Sequence, residues 1–160
     1  MRPHISAAAP KRLPRPATEM TRINFYHDAT DKHVTACKVI AKAVQQRLRV
    51  LVYARDEKII QHVDKLLWSW QSTGFVPHCM ADAPLAAQTS VLLSQECTTI
   101  AHDDVLVNLD NECPPGFARF QRLVEIIGTN DDDRNAGRER FRFYRDRGYE
   151  IQAHRLGGAD

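Results

Sequence analysis

The spacing of apolar residues changes several times along this chain, and each change predicts an element. Ile23–Tyr26 is short, apolar and β-prone, which predicts a first strand. His27-Asp28-Ala29-Thr30 follows as a turn, from which Asp28 or Thr30 can cap a helix. A helix is predicted from Asp31 to Arg47, because Val34, Cys37, Ala41, Val44 and Leu48 step by three or four. Val50–Ala54 is an unbroken apolar run, suited to a strand buried on both faces. Asp56 then caps a second helix, carried by Ile60, Val63, Leu67 and Trp70. Gly74 and Pro77 break it within Ser72–Met80, and Asp82–Gln88 reads as loop.

Val91–Leu93 and Val105–Leu109 predict a third and a fourth strand. Cys113-Pro114-Pro115-Gly116 is a turn, Phe117–Gln121 a short helix, and Leu123–Ile127 a fifth strand. Tyr149–His154 is an edge strand or an ordered tail. The alternation predicts an α/β fold: one domain, a three-layer sandwich, with a Rossmann-like, mostly parallel sheet flanked by helices.

Between the last two strand segments lies Asp131–Arg147, DDDRNAGRERFRFYRDR. Aspartates open it, where a carboxylate can cap and suits the positive end of a helix dipole. Arginines close it, and Gly148 stands where a left-handed residue often ends a helix. Arg138, Phe141, Arg142 and Arg145 fall at i, i+3, i+4 and i+7, so they share one face. Guanidinium groups beside an aromatic ring suit a ligand that is anionic and apolar at once. Composition alone favours the plainer reading, a solvated face with Phe141 or Tyr144 packed inward.

The net charge of +2 is small and uneven. Residues 1–19 are rich in Pro, Ala and basic side chains and carry +3, so residues 20–160 sum to −1. The first 19 residues are expected to be a disordered basic extension ahead of the domain at 20–160. They lack the apolar core of a secretory signal. Order beginning right after Met20 favours Met20 as the true start; a transit peptide is the other reading. No run is long or apolar enough to span a membrane. Cys37, Cys79, Cys97 and Cys113 match no zinc module and are expected to be reduced cytosolic thiols.

Open α/β sheets bind ligands beyond the C-terminal ends of their strands. There is no GxGxxG and no GxxxxGK[ST] there to cradle phosphate, so neither a nucleotide nor another cofactor is expected. GxSxG and HExxH are also missing. Asp110 and Glu112 could hold a metal after the fourth strand, but acids beside a turn more often do turn and capping chemistry. His27 with Asp28 could serve acid–base work, though adjacency in sequence does not supply the geometry.

INFYH and a long helix, then RVLVYARDEKIIQHVDKLLW, GFVPHCMA, DDVLVNL and RERFRFYRDRGYEI, follow one another in an order that resembles the chi subunit family of bacterial DNA polymerase III holoenzyme. The resemblance covers nearly all of Met20–Gln152. It implies an α/β accessory subunit without catalysis of its own, in the bacterial cytoplasm. It further implies a heterodimer with the small clamp-loader partner psi, and a grip on the acidic tail of single-stranded-DNA-binding protein, which ends in a phenylalanine carboxylate. DNA is then met only through these partners. Carried over by position, the tail-binding residues are Arg138, Phe141, Arg142, Ile127 and Phe75. A ring pocket of Ile127, Phe75 and Phe141 would then sit beside Arg138 or Arg142 for the carboxylate. Arg134 and Arg145 are expected to steer the tail's upstream acids. Trp68 is expected to be a packing anchor and Trp70 to be exposed, and both are considered for contact with psi. The alternative is a direct nucleic-acid binder that uses the arginine-rich helix on phosphates.

Overall fold

The computed structural model describes residues 20–69 and 76–156. Seven strands form one sheet: β1 (Arg22–Ala29), β2 (Val50–Tyr53), β3 (His78–Met80), β4 (Val91–Ser94), β5 (Val105–Asn108), β6 (Arg122–Gly128) and β7 (Ile151–Arg155). Their order across the sheet is β3-β4-β2-β5-β6-β1-β7. Every neighbouring pair is parallel, with Val50 level with Val91 on one side and Val105 on the other. β2, β4 and β5 are buried along their whole length, as a strand covered on both faces must be.

Three helices cover the faces: α1 (Lys32–Gln45), α2 (Glu57–Ser69) and α3 (Asp131–Asp146). Side chains alternate across a strand, so each strand feeds two cores. On one face Val50, Val52, Val105, Val107, Val124 and Ile126 meet α1 through Ala36, Cys37, Ile40 and Ala43, and α2 through Ile60, Val63 and Leu67. On the other face Ile23, Phe25, Leu51, Leu106, Leu123 and Ile127 meet Tyr144 of α3 and Phe120. Each large apolar side chain buried this way contributes about 1.5–3 kcal/mol of transfer free energy.

Several expectations shift by a few residues. Asp31, not Asp28 or Thr30, caps α1 by accepting from the amides of His33 and Val34, both at 3.2 Å. Asp56 does cap α2, accepting from the Lys58 amide at 2.9 Å. Asn130 rather than an aspartate caps α3, accepting from the Asp133 amide at 2.8 Å. The three aspartates fill the first turn behind it, where their charge meets the helix dipole. Gly148 ends the element with φ +85°, the left-handed conformation its missing Cβ allows.

His78–Met80, the end of the Ser72–Met80 stretch read only as a helix break, is the edge strand β3. Phe117–Arg119 and Ala86–Gln88 are single 3-10 turns, in place of a longer helix and an irregular loop. The segment near Tyr149 is the other edge strand, β7. His102 is buried with Nε2–H donating to the Thr89 carbonyl at 2.7 Å, and burial pushes its pKa down.

Candidate functional site

The chain leaves β2 toward α2 on one face of the sheet and leaves β5 through Phe117 and Phe120 on the other. The C-terminal ends of β2 and β5 are neighbours, so the crevice favoured by ligands in open α/β sheets lies between them. Arg55 and Asp110 span it. Asp110 accepts from the Arg55 backbone amide at 3.1 Å and from Arg55 Nε at 2.9 Å. Asp110 thus spends its carboxylate on Arg55, and Glu112 stands 3.6 Å from the same guanidinium. No group of three or more metal-ligating side chains occurs among the described residues.

The chemistry gathers instead around α3. Its inner face is anchored on Glu125, a fully buried carboxylate on β6. Arg140 Nε donates to Glu125 Oε1 at 2.9 Å and the Tyr144 hydroxyl to Oε2 at 2.6 Å. The Asn108 amide reaches both oxygens at 3.1 Å. Arg140 Nη1 also donates to the Asn111 carbonyl at 2.8 Å. Burial pushes the Glu125 carboxyl above the usual range, against the pull of Arg140, Tyr144 and Asn108. Burial and the nearby Glu125 charge push the Tyr144 phenol up as well, so it stays a donor. Asp133 adds a second anchor, taking the Gly128 amide and Lys32 Nζ, the latter at 2.9 Å.

Gly137 lets α3 lie unusually close to the sheet. A Cβ there would stand 2.6 Å from Ile127 Cδ1, inside any real contact distance. This close approach lays the outer edge of the helix over the ends of β1, β6 and β7. A cavity of about 490 Å³ opens there, with Phe25, Ile127 and Phe141 among its walls and Arg134, Arg138 and Arg155 among its cations. Phe141 packs edge-on against Phe25, ring centres 5.3 Å apart, and so is only half buried. Arg138 is exposed and donates to Asn135 at 2.8 Å, with no carboxylate partner among the described residues.

Asp28 also lines the cavity, and its charge is already engaged. Arg134 Nη2 lies 3.1 Å from one carboxylate oxygen, and Arg155 Nε 3.2 Å from the other. His27 Nδ1 lies 3.3 Å from the latter. Partial burial opposes ionisation of Asp28, but the bonds from Arg134 and His27 and the charge of Arg155 hold its carboxyl below the ordinary range.

The structure therefore brings Ile127, Arg138 and Phe141 to one cavity, together with Arg134. Arg142 and Arg145 share the exposed side of the helix but do not line it. Arg142 pairs with Glu139 at 3.1 Å, and Arg145 with Asp146 at 3.0 Å. Phe75 and Trp70, like residues 1–19, lie outside the described residues. Trp68 is not a packing anchor. It is 62% exposed, with its ring edge against His78 at the β3 side of the sheet, because α2 turns Leu67 and not Trp68 inward. Sequence reasoning missed Phe25, His27, Asp28, Gly137, Ala153 and Arg155 as lining residues. Only the alternation of β1, which puts Phe25 on the α3 face with Ile23, could have pointed to one of them.

The family described as DNA polymerase III chi subunit, HolC, matches residues 20–152. The chain is 34% identical to the DNA polymerase III subunit chi of Pseudomonas aeruginosa, over 86% of this chain and 98% of that one. It is 25% identical to the subunit of the same name in Escherichia coli, over 72% and 79%. The counterpart in Haemophilus influenzae is 24% identical, over 76% and 85%.

Proposed function

The chain belongs to the DNA polymerase III chi subunit family, and from that premise we propose that it is a non-catalytic adaptor of the holoenzyme, whose α3 cavity receives the acidic C-terminal tail of single-stranded-DNA-binding protein. The carrying observation is the conjunction of apolar walls at Phe25, Ile127 and Phe141 with Arg138, a cation without a carboxylate partner among the described residues. A tail ending in phenylalanine asks for both, a slot for the ring and a guanidinium fork for the α-carboxylate. Arg142, Arg145 and Arg134 supply the surrounding positive field for the upstream acids. Phe75, carried over by position, is not counted among these walls, since its neighbour Val76 packs on the opposite face of the sheet, beside the edge strand β3.

Peptide contacts of this size are weak; about 1 μM corresponds to roughly −8 kcal/mol. A weak tether suffices when a coated template offers many tails at once. The clamp-loader side of the bridge, psi, is assigned to the opposite end of the sheet. Exposed Trp68 against His78 on the edge strand β3 favours it, since an exposed tryptophan is a common interface anchor. Trp70 belongs to the same proposal. Such a bridge works in the bacterial cytoplasm, and no described helix is long and apolar enough to cross a membrane.

Fluorescence titration with an acidic peptide ending in phenylalanine tests the reading, against the same peptide without its last residue. Saturable binding lost in the control is expected. Absence of binding to both would overturn it. A steep salt slope with bare single-stranded DNA would then favour the nucleic-acid reading, although the −1 of residues 20–160 works against it.

A further inference from the structure

The wall of the α3 cavity contains a carboxylate that a receptor for acidic ligands would not be expected to carry. Asp28 sits at the end of β1, where the pairing with β6 slips. Tyr26 is level with Ile126 and Ala29 with Gly128, so two residues face one. Such a bulge re-aims a side chain. Asp28 takes φ +62°, a left-handed conformation that few residues other than Gly, Asn and Asp adopt readily. The re-aimed carboxylate lies between a cation of α3, Arg134 at 3.1 Å, and a cation of β7, Arg155 at 3.2 Å. No other carboxylate is paired with either of them among the described residues, while Arg138, in the same cavity, has none at all.

We propose that Asp28 is an in-chain stand-in for an acidic ligand: it holds Arg134 and Arg155 in the empty cavity, and a peptide gains those two cations only by exchanging its own carboxylate for that of Asp28. This rests on the reading of the cavity as an acidic-tail site. The exchange sets specificity. A ligand with a single carboxylate engages Arg138 alone, whereas one with a second acid at the right spacing also competes for Arg134 and Arg155. Asp28 thereby weakens every acidic ligand but penalises most those that cannot replace it.

Asp28→Asn removes the charge, keeps the shape and tolerates the left-handed backbone, so it preserves the fold. With the acidic tail peptide at low salt, the variant is expected to bind about three- to tenfold tighter than the native protein. The gain should vanish when the peptide's upstream acids are replaced by neutral residues. In parallel, inorganic phosphate should raise the Tm of Asp28→Asn and leave that of the native protein unmoved, because only the variant has two arginines without an internal anion. Unchanged or weaker peptide binding by the variant would overturn the proposal, the weaker case meaning that Asp28 aligns the arginines for the ligand. If neither protein binds the peptide, the tail reading falls. The phosphate measurement then decides Asp28 alone, and equal responses of the two proteins would sink it.

Discussion

Arg138 and Arg140 stand two residues apart on one helix and work in opposite media. Arg140 points under α3, where it donates to buried Glu125 and to the Asn111 carbonyl. Arg138 lines the cavity and donates to Asn135, with no carboxylate partner among the described residues. A buried cation of this kind is tied to an anion that would otherwise be stranded, so its loss is a structural event. An exposed cation without a carboxylate costs the fold nothing when removed, and its charge is left over for a ligand. The helix thus turns one guanidinium to a buried carboxylate and another to the cavity by a rotation of its surface.

That contrast can be broken at the buried end first. Arg140→Ala leaves Glu125 buried and short of a partner, and should cost about 3–5 kcal/mol in urea unfolding. A loss under about 1 kcal/mol would mean that the buried pair does not fasten the helix. Arg138→Ala should do the reverse. Unfolding should stay within about 0.5 kcal/mol of the native protein, while affinity for the tail peptide drops at least tenfold, about 1.4 kcal/mol. Equal binding by the variant would remove Arg138 from the site.

Gly137→Ala probes the border between the two faces. The added Cβ must push Ile127 aside, an overpacking worth about 1–3 kcal/mol, set against about 1 kcal/mol of improved helix propensity. Because Ile127 lines the cavity, peptide affinity should fall even if stability barely moves, and a variant that gains stability with intact binding would contradict the close fit. The smallest effect concerns pH. Burial pushes His102 and His33 below 6.5, with the nearby His62 and Lys32 charges adding to it at His33. Their contribution is fully present above about pH 6.5 and is lost as pH falls through their lower folded values. The Tm should therefore decline between pH 7 and pH 5, and less so in His102→Gln; an equal decline in that variant would clear His102 of any part.

The buried run VLVY, the three-and-four spacing of α1 and the Gly148 stop were legible because each obeys a local rule. β3 was not, since three residues behind Gly74 and Pro77 carry no period and gain their strand character only by pairing with β4. For the site, the helix face bearing Arg138 and Phe141 was readable from spacing. Which arginine turns inward was not, because that is decided by Glu125 on β6, fifteen positions before Arg140. A glutamate inside the apolar run LVEII was the available signal, as a charge in a buried strand demands a partner. Asp28 was hidden for a different reason: its cations come from α3 and β7, more than a hundred residues away.

The place of β1 in the sheet also has a consequence for how the chain is made. The strand formed by residues 22–29 is flanked by β6 and β7, the last two of the described strands to be synthesised. Its first sheet partner emerges about 90 residues later, which at the pace of translation is roughly 5–20 s. Through that interval the nascent chain can assemble β2, β3, β4 and β5 beneath α2, but INFYH must wait with its apolar side chains uncovered. The cavity, built from the ends of β1, β6 and β7, is consequently completed only once β7 has emerged, and no product that stops short of Arg155 can present all of it.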